Sequence, residues 1–100
     1  MKDRMIGSLD ADEPPADFPP PLQALWWLKK GGLSLGPEWE RAHGICQADE
    51  GAPGSDLAHA LAHWIEGDLS NADYWYRRAG EARGTDIASE WDRIATKIDH

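Results

Sequence analysis

Two histidines stand four residues apart in "HALAHWIEGDLSNADYWYRRAG", residues 59–80, with Glu66 three positions after the second. Histidines at i and i+4 share a helix face, which can bring two imidazole nitrogens to one ion. Glu66 and His43 would complete such a set. The same groups could instead do acid–base work, with Glu66 or Asp68 orienting the His63 ring. Against a protease of the HExxH type, Ala60 occupies the place of the general base. No serine has an evident elbow, no glycine-rich phosphate loop is present, and Cys46 falls on an apolar stripe. At 100° per residue, His59, His63 and Glu66 lie within about 60° of one another, opposite Leu57, Leu61 and Trp64. This places them on the open side of their helix, where paired histidines also arise with no role beyond solvation.

Further along, "YWYRR" divides in the same way. Trp75 and Tyr76 fall on the core side, while Tyr74, Arg77 and Arg78 fall on the wet side. Long arginine side chains commonly cover apolar surface; they also suit bidentate contact with a carboxylate or phosphate. Trp26 and Trp27 are adjacent and so cannot share one helix face. An exposed Trp serves as a binding anchor, or is absorbed by a wider helix contact. Cys46 reads as a small buried hydrophobe.

These residues need helices to position them, and the chain supplies helices only. Five are predicted, over 21–30, 37–48, 55–66, 70–82 and 86–98. The first two open on proline and the first ends at Gly31–Gly32, the usual asymmetry of helix termini. The third has Ser55 as its cap and the fourth opens on the capping sequence "SNAD". The fifth follows Thr85 and shows Ile87, Trp91, Ile94, Ala95 and Ile98 at helical spacing. β-Branched residues are few and nothing alternates at period two, so strands are not expected. The predicted class is all-α: short helices paired as antiparallel hairpins over 21–100, preceded by an acidic, proline-rich tail over 1–20 that stays disordered. Deleting that tail is expected to leave the melting temperature unchanged.

At an offset of 36, Ala24, Leu25, Gly31, Leu33, Ser34, Trp39, Arg41 and Gly44 recur as Ala60, Leu61, Gly67, Leu69, Ser70, Trp75, Arg77 and Gly80. A rival register treats "GLSLGP" as an insertion and pairs Ala42 with Ala72. A period in the mid-thirties suits tetratricopeptide-type hairpins. "EGDLSNADYWYRRA" resembles their turn and second helix, and also the Sel-one-like variant with its "WYRRA"-type endings. The chain is similar, too, to a family of short uncharacterised microbial proteins, through "LWWLKKG", "RAHGICQ", "HALAHWIEGDLSNADYWYRRAG" and "SEWDRI". That resemblance implies a compact all-helical domain with no established activity. His43, Gln47, His59, His63, Glu66, Gly67, Asp68, Asn71, Tyr76 and Arg77 fall on its polar motif positions. Trp64 stands where the family usually has Arg, Gly44 where it often has Glu, and "GLSLGP" lengthens the first loop.

Composition narrows the remaining classes. One hundred residues make one domain, with 41% apolar residues and six Trp to fill a small core. A net charge of −8 is repelled by phosphate backbones and anionic lipid, so neither nucleic acid nor a membrane surface is an expected partner. The single cysteine excludes an internal disulfide and a cysteine-based zinc site. The first 18 residues hold no apolar core of signal-peptide length, and a cytoplasmic protein is expected. The sequence thus predicts a non-enzymatic interaction module without a cofactor or metal. It would bind a protein partner of unknown identity through His43, His59, His63, Glu66, Tyr74 and Arg77. The alternative is a small metal-binding or acid–base enzyme using His43, His59, His63 and Glu66.

Overall fold

The computed structural model describes residues 2–98, and among them every regular element is helical. Six helices follow in order: α1 Lys2–Gly7, α2 Pro20–Lys30, α3 Pro37–Ala48, α4 Pro53–Ile65, α5 Leu69–Arg78 and α6 Ile87–Ile98. The all-α class expected from the periodicity is the class observed. None of these helices is long and apolar enough to cross a membrane.

Helix α4 is the axis of the fold, packed against α2, α3, α5 and α6. Nine consecutive residues, Ser55 to His63, are buried. Ala58, Ala60 and Ala62 make this surround achievable, because a methyl side chain lets neighbouring backbones come close on faces that a longer residue would hold apart. An amphipathic helix with a wet side was expected here, and it is absent. The polar groups at its start are met from the preceding turn: Ser55 Oγ donates to Asp49 Oδ2 at 2.6 Å, and Asp56 Oδ1 accepts from Gly51 N at 3.1 Å. Ser55 is therefore not the N-cap; the helix opens two residues earlier on Pro53.

The turn into α5 fixes the geometry of the polar residues that follow. Gly67 takes φ 86°. Its N–H bonds to Trp64 O at 2.9 Å, and the next N–H, of Asp68, bonds to His63 O at 3.0 Å. This paired closure of a helix C-terminus requires a left-handed residue, which glycine adopts without penalty. Asp68 then caps α5, accepting from Asn71 N at 3.2 Å, in place of Ser70. The same closure recurs at Gly80, φ 79°, and ends α5 at Arg78, four residues short of the expected end. Asp86, not Thr85, caps α6 by accepting from Ser89 N at 2.8 Å. The loop over 31–36 is longer than that over 66–68, so no single offset superposes the two hairpins.

The N-terminal segment departs most from expectation. Residues 2–19 are a folded strap rather than a disordered tail: Met5 is 0% and Phe18 2% exposed. Arg4 pairs with Asp17 at 2.7 Å, Lys30 Nζ donates to Leu9 O at 2.7 Å, and Trp26 Nε1 donates to Ser8 Oγ at 3.0 Å. The physical reason lies in the adjacent tryptophans of α2. Their faces diverge, with the rings edge to face at 4.9 Å, so each needs its own cover. Arg41 lies over Trp27, and the strap supplies a partner for the Trp26 indole. Ser8→Ala leaves that buried donor unpaired and is expected to cost about 1–2 kcal/mol in urea unfolding. Wild-type stability in that variant would mean the strap does not dock on Trp26.

Candidate functional site

His43 projects from the middle of α3 towards His59 and His63, one turn apart on α4. Ring centroids are 4.9 Å apart for His43 and His59, 5.1 Å for His43 and His63, and 4.8 Å for His59 and His63. One nitrogen from each ring lies within 4.8 Å of the other two. Two tryptophans wall the group: Trp39 stacks on His43 at 4.8 Å, and Trp75 of α5 stacks on His59 at 4.1 Å. Trp39 also donates its indole N–H to Ala62 O at 2.8 Å, which pins α3 to the last turn of α4.

The open-face placement of His59 and His63 is overturned. They are 2% and 6% exposed, buried because α3 and α5 close over the side of α4 that faces away from Leu57 and Leu61. His43 is half-buried at the edge, and Glu66 is exposed. Burial has electrostatic consequences. The His59 pKa falls to about 3, first because the charged ring is desolvated and then because His63 and His43 would repel it. His43 is lowered for the same first reason, with His63 adding to it. Glu66, Glu40 and Glu50 pull His43 the other way, a sign that the edge of the cluster sits in a negative field. Both rings are thus neutral at neutral pH, the form in which imidazole is a ligand.

Hydrogen bonding is uneven across the three rings. His63 Nδ1 lies 2.6 Å from Glu66 Oε1, which leaves its Nε2 for another partner. Buried His59 Nδ1 has no hydrogen-bond partner among the described residues. Native proteins rarely tolerate such a group. Asp68 stands within 4.8 Å of the His63 and Glu66 ligand atoms, adding a second carboxylate beside the cluster.

The other two expected site residues lie apart. Tyr74 is 44% exposed and meets Trp75 edge-on at 5.2 Å, so it touches the cluster only through that ring. Arg77 lines a separate cavity with Tyr76. Sequence reasoning missed Trp39 and Trp75 as walls. The i, i+4 spacing of Trp39 and His43 was a usable signal for the first, whereas the second depends on how α5 crosses α4. Cys46 is buried, as expected of a small hydrophobe, with its thiol pushed up to about 12 by desolvation.

Fold and site together define a small all-helical protein built around three clustered histidines, two of them buried, with the carboxylates of Glu66 and Asp68 beside them. No family model, curated protein or solved structure matches the chain.

Proposed function

We propose that this protein binds a first-row divalent metal ion, of which zinc is the natural case, through His43, His59 and His63. The observation that carries the reading is the buried Nδ1 of His59, unpartnered among the described residues, inside a triangle of three imidazoles. Three histidines form a known protein ligand set for zinc, and the fourth position is then left to water or an outside group. Bonds of about 2.0–2.1 Å would draw the nitrogens to about 3.4 Å from one another, a small closure of the rings about their side-chain torsions. Glu66 on His63 Nδ1 is the kind of carboxylate partner that fixes the orientation and tautomer of a metal-binding ring. Glu66 and Asp68 also balance the charge of a divalent ion. A water in the fourth position would be acidified, which is the chemistry such a centre offers.

The other reading, a protein-docking face, loses His59 and His63 to the interior and keeps Tyr74 and Arg77 in two separate places. It has no observation of comparable weight behind it.

Zinc titrated calorimetrically into chelator-treated protein is expected to bind at one ion per chain and to survive dialysis. His43→Ala, at the half-buried edge, should abolish that binding while the chain stays folded. Glu66→Gln should weaken it about 10–100-fold. Equal zinc binding by wild type and His43→Ala would place the metal elsewhere and overturn the proposal.

A further inference from the structure

His59 and His63 are 2% and 6% exposed, whereas His43 is half-buried. A group that completes the coordination shell from outside therefore enters past His43. That edge is acidic. Glu40 lies one turn before His43 on α3, Glu50 follows the end of the same helix, and both are exposed. From the end of α4 and the turn after it come Glu66, 2.6 Å from His63 Nδ1, and Asp68, within 4.8 Å of the His63 and Glu66 ligand atoms. The His43 ring feels the negative charge of Glu66, Glu40 and Glu50 together.

Little opposes these acids. Arg41, next to Glu40 in sequence, is drawn over Trp27. Arg78 lies 4.9 Å from the Trp75 ring centroid and donates to the Tyr74 hydroxyl at 3.2 Å, close enough to Glu50 to feel its charge. Four carboxylates against the Arg78 guanidinium leave a local charge that a divalent ion does not fully offset. An anion in the fourth position would bind the ion against this residual field. A neutral nitrogen with a lone pair makes its metal bond without that repulsion.

We propose that the fourth coordination position of this centre takes small uncharged nitrogen donors, of the imidazole class, and discriminates against anions. This rests on the metal reading of the same three histidines and adds the class of ligand that reaches the ion. Phosphate and carboxylate groups are thereby set aside as its ligands.

The test uses the full chain loaded with one equivalent of cobalt(II) in place of zinc, because the visible bands of cobalt report coordination number and ligand exchange. Imidazole and sodium azide, nitrogen donors that differ in charge, are titrated at constant ionic strength and at a pH where free imidazole is neutral. Imidazole is expected to shift the bands saturably and to bind about 10-fold more tightly than azide, with the gap narrowing as salt is raised. A double variant, Glu40→Gln with Glu50→Gln, alters two exposed groups outside the ligand set. It should retain the cobalt bands, bind azide about 3-fold more tightly than wild type, and bind imidazole equally well. Azide binding as tight as that of imidazole in wild type, or no gain for azide in the double variant, would overturn the proposal. Cobalt held as a six-coordinate ion, or held equally by His43→Ala, would remove the metal centre itself; the bands before any ligand is added tell that failure from the other.

Discussion

Trp91→Ala is expected to lower stability by about 3–5 kcal/mol, the usual cost of emptying a large aromatic from a core. Trp91 is 0% exposed and is one of the largest fully buried side chains. Its indole N–H donates to Leu25 O at 2.9 Å, joining α6 to α2 across 66 residues of chain. Lys29 Nζ lies 4.7 Å from the ring centroid and adds a cation–π contact. Trp91, Ile94 and Ala95 are the buried apolar part of helix α6. Removing the largest of them should release the helix. Urea unfolding followed by circular dichroism reads the loss, and Trp91→Phe, which keeps most of the volume, should recover more than half of it. Near-wild-type stability for the alanine variant would mean that α6 does not dock as described.

Acid should destabilise the zinc-free protein well before its carboxylates titrate. The His59 ring has a folded pKa of about 3 against an ordinary value near 6.5, chiefly through burial and then through repulsion by His63 and His43. Between those two values the unfolded chain carries the proton and the folded chain does not. The stabilising effect is therefore complete above about pH 6.5 and is lost progressively as the pH falls towards 3. Over the whole window the ceiling is about 5 kcal/mol at 1.36 kcal/mol per unit, and on the order of 3 kcal/mol once water at the His43 edge screens the charge. Urea unfolding at pH 7.5 and pH 5 samples the upper part of this window. A loss of about 1–2 kcal/mol is expected there for the chelator-treated wild type. In His59→Phe, which retains a ring against Trp75, the slope attributable to this group should vanish. An unchanged slope would mean that His59 titrates as an exposed residue. Bound zinc would steepen the wild-type dependence, because protons and metal compete for the same nitrogens.

The helices were legible because their apolar periods are clean. Trp39, Ala42 and Cys46 in α3 and Ile87, Trp91 and Ile94 in α6 leave little choice of face. Helix α4 was harder to read. Its histidines lie opposite its leucines, and that pattern describes a surface helix equally well as a central one whose second side is packed with polar rings. The alternating alanines at 58, 60 and 62 were the better clue, since small residues on all sides mark close approach by several neighbours. The strap over 2–19 was hidden by its prolines and acids. Met5, Phe18 and the two diverging indoles of α2 pointed to it only once one asks what covers Trp26. Among the site residues, His59, His63 and Glu66 follow from helical spacing. Their burial and the closing of Trp39 and Trp75 around them follow from how α3 and α5 cross α4, which spacing along one helix does not encode.

The metal centre is tested most directly by X-ray absorption at the zinc edge on protein loaded with one equivalent of zinc. Three imidazole nitrogens at about 2.0–2.1 Å, in a four-coordinate shell completed by one light ligand, are expected. His43→Ala should fail to retain the ion. A six-coordinate shell of oxygens, as surface carboxylates of this acidic chain would give, or no retained zinc at all, would contradict the account.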